Sequence, residues 1–432
     1  MRTTTVAVVG GGAAGMLAAI AAARGGAPTL LLEKTGRLGL KLQISGGGRC
    51  NVTNAQEDPR ELARMCPGNG RFMMDAFRAY PPGEVLALLR RRGVPTKVEA
   101  PYGKVFPRSD RSLDVLGALE AEMGAAGVEV RTGAPVAGLL LSAGRVRGVR
   151  LAGGEEVPAA AAVVCAGGRS FPRSGSTGDG YVLAGEAGHR VVETFPSLVP
   201  LRVAGTRALS GVALRDVEGT ALVGGRAVGP RFRGDALFTH FGLSGPVVLQ
   251  LSRAICDGLR RGLPATLSFN LRPDGTAADL DGDLLSRLGE QPRAALATVL
   301  AAYMPRSAVP AFLAAAGADG ATPACEVARA TRLRVAEAIR TWHFPVAAWH
   351  SIEAAEVTAG GVDVAEIDPR TFASRLVAGL YFAGEVLDVD CYVGGYNLQA
   401  AWSSGFVAGR SAAAFALAGA GTRRPRGASS TT

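Results

Sequence analysis

The chain has 432 residues, of which 48% are hydrophobic, 19% charged and 59 are glycine. At roughly 150 residues per domain this allows two or three domains with large cores, and the composition excludes a largely disordered chain. The 24 prolines follow no Gly-X-Y period, which excludes a collagen-like fibre. Net charge is +10, and because Lys occurs only at Lys34, Lys41, Lys97 and Lys104, Arg supplies 43 of the 47 basic residues. Arg pairs with phosphate and stacks on bases, so RNA is one partner this charge would suit. Coding bias toward Arg and Ala is the favoured explanation, and no run of five basic residues occurs.

Six scattered cysteines (Cys50, Cys66, Cys165, Cys256, Cys325, Cys391) form no C-x-x-C pair. That argues against a disulfide framework or a metal site and suits a reducing, cytoplasmic setting. Near the N-terminus, Gly10, Gly11, Gly12 and Gly15 interrupt an apolar run that otherwise resembles a signal peptide. No stretch of about 20 apolar residues remains to span a membrane. Oligomeric state does not follow from the sequence.

In chain order, Thr5–Val9 reads as a strand, Gly10–Gly15 as a turn, Met16–Ala23 as a helix and Thr29–Leu32 as a second strand ending at Glu33. A second Gly-rich loop covers 36–54. Helices are expected over about 60–92 and 112–126, then short strands at 128–130, 137–141, 146–151 and 161–165. Residues 198–272 read as short β runs with Gly turns, and 284–343 as Ala/Leu-rich helices punctuated by Pro292, Pro305, Pro310 and Pro323. The early texture returns from Glu356, with a helix over about 398–416. The expected organisation is an α/β nucleotide-binding domain split into 1–191 and 355–417, a second domain inserted at 192–354, and a disordered tail at 418–432.

The Gly10-x-Gly12-x-x-Gly15 motif sits between a strand and a helix, with Glu33 23 residues after Gly10. Gly10 permits the tight turn, Gly12 lets backbone approach a pyrophosphate, and Gly15 lets helix and strand pack closely. The helix start offers free N–H groups and partial positive charge to phosphates. Glu33 is placed to accept from both ribose hydroxyls, which disfavours a 2′-phosphate. Two later features favour FAD over NAD: Gly384-Glu385 after the strand 380–383, and Gly394-Gly395-Tyr396-Asn397 opening a helix whose start could face the flavin N1–C2=O edge.

Four segments then become specific: GRLGLKLQISGGGRCNVTN (36–54), AGGRSFPRSGSTGDGY (166–181), LFTHFGLSGP (237–246) and GLYFAGEVLDVDCYVGGYNLQAAWSSG (379–405). Together they closely resemble the bacterial BaiN/YhiN-like flavoproteins, often labelled the aminoacetone oxidase family, over roughly residues 5–410. The resemblance implies a glutathione-reductase-type FAD-binding Rossmann domain, interrupted by a domain with a β-barrel-like part and helices. It also implies FAD contacts at Gly10, Gly12, Ala14, Gly15, Glu33, Lys41, Arg49, Val136, Gly384, Glu385, Asn397 and Leu398. The family pattern before the last helix runs Asp-Gly-x-Thr-Gly-Gly-Tyr-Asn, whereas Cys391 stands here for the Gly and Val393 for the Thr.

With one complete GxGxxG there is no dedicated nicotinamide domain. NAD(P)H binding transiently at the flavin, O₂ as acceptor, or the substrate as donor all remain open. Activities ascribed to family members include reduction of conjugated C=C bonds in steroid-like enones, reduction of a uridine C5–C6 bond in ribosomal RNA, and oxidation of aminoacetone. A small-molecule hydride-transfer enzyme is the favoured class, with an RNA-modifying reductase and a redox sensor without turnover as alternatives. His240 is the candidate general acid, with a buried structural His as the competing reading. Cys391 is a second candidate beside the isoalloxazine, against an ordinary packed Cys. Cys50 beside Arg49 could be a thiol of lowered pKa, and Tyr396 either packs or donates a proton. The inserted domain is expected to set substrate choice, with Phe238, His240 and Phe241 on a flavin-facing side.

Overall fold

The computed structural model describes residues 4–419 and divides into two compact units, 4–194 with 357–419, and 195–356. These divisions fall two to three residues later than the sequence suggests at both ends of the insert. Most of the expected tail, residues 420–432, lies outside the described residues.

The first unit opens as β1 (Val6–Val9), α1 (Ala13–Arg24) and β2 (Thr29–Leu32), followed by the short helix α2 (Leu40–Ile44). With β3 (Glu129–Arg131), β4 (Ala161–Val164) and β5 (Leu380–Phe382), β1 and β2 form a parallel sheet in the order β5-β4-β1-β2-β3. β1, β2, β4 and β5 are wholly buried, which is why they read as unbroken apolar runs rather than alternating ones. The final helix α3 (Tyr396–Ala418) packs on α1. Gly405 and Gly409 allow this approach, since a Cβ at either would lie 2.3 Å or 2.1 Å from the carbonyl oxygens of Ala14 and Ala18.

The expected helix over 60–92 is broken into Pro59–Arg64, Met74–Ala79 and Pro82–Arg91. Pro67 cannot continue a helix, and Pro82 starts one better than it sustains one. The helix Ser112–Ala126 falls where expected and ends at Gly127, whose φ of 76° suits glycine.

The second unit holds a closed six-stranded antiparallel barrel. Its order is Leu201–Val203, Gly242–Ser244, Arg226–Thr239, Ala213–Val223, Ala265–Asn270 and Trp342–Trp349. The helix Pro246–Arg260 lies on Ala213–Val223, where Gly219 leaves room for Val247 and Leu251. Phe238, Phe269, Trp342 and Phe344 form the aromatic core, with ring centroids 4.8–6.0 Å apart. The helices 277–290, 296–300, 309–316 and 329–340 complete the unit.

Candidate cofactor site

Gly10 has φ of 103°, and a Cβ there would lie 2.5 Å from the Cys165 carbonyl oxygen. At Gly15 a Cβ would lie 1.8 Å from the Gly10 oxygen, so turn and helix touch backbone to backbone. Gly12 is the N-cap of α1, and a Cβ there would meet nothing within 4 Å. The helix start therefore presents bare backbone to open space, the arrangement a pyrophosphate needs. Glu33 is buried; its Oε2 accepts from the Gly11 N–H at 2.7 Å and its Oε1 from the Thr35 N–H at 2.7 Å. A carboxylate has about four acceptor positions, so two remain for a ligand diol. Val136 begins a strand two residues beyond Ala134, whose N–H donates to the Glu33 carbonyl.

The other strand end approaches the same turn. Gly384 has φ of 78°, donates its N–H to Ser404 Oγ at 3.0 Å, and could not carry a Cβ without coming 2.7 Å from Ala14 Cβ. A small residue at Ala14 is therefore required. Glu385 next to it binds Lys41 Nζ through both carboxylate oxygens, at 2.9 and 2.7 Å. At the start of α3, the Asn397 side chain accepts from the Cys391 N–H at 2.9 Å and donates to its carbonyl at 2.7 Å, clamping the preceding loop. Leu398 is half-buried against the core. The Gly-rich 45–54 segment reaches the same place, because Asn54 Nδ2 donates to the Gly394 carbonyl at 3.0 Å. Thr35 and Ser170 in loops, Thr358 in the strand Val357–Val362 and Ser404 in α3 have no signature in the sequence, because a single hydroxyl residue follows no period.

Arg49 has its guanidinium 3.9 Å from the centroid of the Phe106 ring and is paired with Glu99 at 2.8 Å and Asp110 at 3.4 Å. These carboxylates hold the guanidinium and raise its pKa further. Burial pushes the Cys50 thiol up to about 12, the reverse of an activated thiolate. Cys391 is not a lone packed cysteine: it forms a disulfide with Cys66, 325 residues away. The expectation of unpaired cysteines fails there, because folding brings together two residues that no sequence spacing links. Tyr396 is half-buried, and burial raises its pKa.

His240 belongs to the barrel unit. It is exposed rather than buried, at the turn between Arg226–Thr239 and Gly242–Ser244, with its ring against Phe241 at 5.0 Å. Phe241 in turn meets His350 at 4.7 Å. Phe238 is not part of any surface floor, since it is buried in the barrel core.

A Ser–His–Glu constellation also occurs in the first unit. His189 contacts Glu366 at 3.0 Å through Nδ1 and Ser374 Oγ at 2.7 Å through Nε2. Ser374 Oγ already accepts from the Leu376 and Val377 N–H groups at 3.0 and 2.9 Å. Both its lone pairs are engaged, so it is a structural tie and not a nucleophile. Among the described residues, no cluster of His, Cys, Asp or Glu is arranged to hold a metal ion, and no helix is long and apolar enough to cross a membrane.

The HI0933-like protein Rossmann domain family matches residues 4–411. The chain belongs to this family. A relative from Clostridium scindens named 3-dehydro-bile acid delta(4,6)-reductase is 34% identical over 387 residues, covering 90% of this chain and 93% of that protein. Proteins named ribosomal RNA dihydrouridine synthase from Escherichia coli and Haemophilus influenzae are 32% and 30% identical, each covering 88% of this chain and 90% and 91% of theirs. Among solved structures, a flavocytochrome c3 fumarate reductase aligns over 96% of this chain and 79% of its own, with TM-score 0.53 and 17% identity. A Rhodococcus jostii 3-ketosteroid-delta4-(5alpha)-dehydrogenase aligns over 94% and 96%, with TM-score 0.50 and 18% identity. The fold is the Rossmann-type FAD-binding fold, and the protein is an FAD-dependent oxidoreductase by that kinship. The donor set suits FAD: bare helix start, a carboxylate with two open acceptor positions, and a second carboxylate neutralised by Lys41.

Proposed function

We propose that this HI0933-like protein reduces a conjugated C=C bond of a small enone-type substrate, using FAD held by the first unit. The observation that carries the cofactor half is the Gly10–Gly15 turn opening on free space with Glu33 two acceptor positions short of saturation. The Clostridium scindens relative supports the C=C chemistry. FAD supplies two-electron transfer when bound; Gly10, Gly12, Gly15, Glu33, Gly384 and Glu385 hold it, and Ala14 gives Gly384 the clearance it needs. NAD(P)H acts as a transient donor in this reading, because one GxGxxG leaves no second nucleotide domain. The barrel unit sets substrate choice, with His240 as the proton donor. The cytoplasm is the compartment this chemistry fits, and the Cys66–Cys391 disulfide pulls the other way.

Release of FAD into the supernatant on denaturation tests the cofactor. Anaerobic mixing with NADH or NADPH, followed by a steroid-like dienone, tests the reaction: flavin bleaching and substrate-driven reoxidation are expected. A chain that neither carries nor binds FAD overturns the reading. Names of the Escherichia coli and Haemophilus influenzae relatives favour ribosomal RNA as a second substrate class. A deletion strain with unchanged dihydrouridine in its ribosomal RNA removes that alternative.

A further inference from the structure

Glu385 is held unevenly. Its Oε1 accepts from Lys41 Nζ, Ser170 Oγ and the Thr358 N–H, each at 2.9 Å. Among the described residues its Oε2 accepts from Lys41 Nζ alone, at 2.7 Å. An oxygen with about two lone-pair directions is saturated in the first case and keeps one direction in the second. Behind this asymmetry stands a built network. Ser170 is wholly buried and its Oγ also contacts Lys41 Nζ at 2.7 Å. Thr358 is likewise buried, and its Oγ1 accepts from the Arg169 and Ser170 N–H groups at 2.9 and 3.0 Å, fixing the loop that carries Ser170. Gly168 leaves the space for this: a Cβ there would lie 2.4 Å from Thr358 Oγ1 and 2.9 Å from Glu385 Oε1.

We propose that Ser170 and Thr358 are positioning residues that fix the side chain of Glu385, already placed in the FAD site, so that Oε2 is the oxygen left to accept from a polyol hydroxyl of the ribityl chain. This rests on the FAD reading above. Lys41 cancels the carboxylate charge, which would otherwise repel a pyrophosphate-bearing ligand. Two carboxylates then read two ends of one ligand: Glu33 the ribose of the adenosine half, Glu385 the open-chain polyol. ADP-ribose carries the first end and lacks the second, so it separates them.

The test is titration of FAD and of ADP-ribose into the flavin-stripped full chain, for wild type, Ser170→Ala, Thr358→Val and Thr358→Ser. Loss of the Ser170 hydrogen bond is expected to weaken FAD about tenfold, the scale of one bond to a charged group, and to leave ADP-ribose binding within about twofold. Thr358→Val should do the same, and Thr358→Ser, which keeps the hydroxyl, should restore FAD affinity. Thr358→Val serves as the second variant if Ser170→Ala does not fold, and ADP-ribose binding reports that the nucleotide half is intact. Equal weakening of both ligands, or no weakening of FAD, overturns the proposal. Wild-type protein that binds ADP-ribose and not FAD overturns the FAD reading itself.

Discussion

Gly405 lies directly on Ala14: a Cβ at Gly405 would sit 2.3 Å from the Ala14 carbonyl oxygen. The contact joins the last helix to the first turn of the helix whose N-terminus forms the phosphate cradle. Gly405→Ala must therefore push α3 and α1 apart, and overpacking of this kind costs about 1–3 kcal/mol. Urea unfolding should show that loss together with faster flavin release. A variant as stable as wild type would mean that the helices slide without cost.

How much of this was legible in the sequence depends on range. Val6–Val9, the glycine turn and Ala13–Arg24 were legible because strand, turn and helix each carry a local signature within 20 residues. The helix 112–126 was legible as a local run of helix-forming residues. From the residues themselves the barrel shows only as short β runs, and the barrel-like part is an expectation of the family resemblance, because closure depends on register between strands as distant as Leu201 and Trp349. Over 60–92 the apolar periodicity hides the breaks that Pro67 and Pro82 impose. The partners of Glu385 were illegible for another reason: Lys41 comes from a short helix, Ser170 from a loop and Thr358 from a strand, and the three meet only in the fold.

Glu33→Gln removes the charge that Gly11 and Thr35 N–H groups face, and puts an amide donor among donors. Hydrogen bonds to charged groups contribute about 1.5–3 kcal/mol, so FAD affinity should fall about 10- to 100-fold. Flavin fluorescence titration checks this. Unchanged affinity would remove Glu33 from the cofactor site.

His189 makes stability depend on pH. Desolvation lowers its pKa below the ordinary value, against the opposing pull of Glu366. A His unfolded at about 6.5 then binds its proton in the unfolded chain first, so stability is full above that pH and falls as pH drops toward the folded value. Below the folded value this contribution levels off. Denaturant midpoints between pH 7.5 and 5 should decline more steeply in wild type than in His189→Asn. Parallel profiles would show that the imidazole does not contribute to the slope.

The Cys66–Cys391 disulfide ties the end of Pro59–Arg64 to the loop that Asn397 clamps, and Tyr392 N–H donates to the Met65 carbonyl at 2.8 Å beside it. A cross-link across 325 residues removes much of the freedom of the unfolded chain, and native disulfides contribute about 2–5 kcal/mol. Thiol titration of the denatured, unreduced protein should therefore count four thiols, Cys50, Cys165, Cys256 and Cys325, and six after reduction. Cys66→Ser should lower the urea midpoint, and a reductant should lower the wild-type midpoint to match while leaving the variant unchanged. Six thiols before reduction would show that the two sulfurs pack as neighbours without a bond, and the stability difference should then vanish with it.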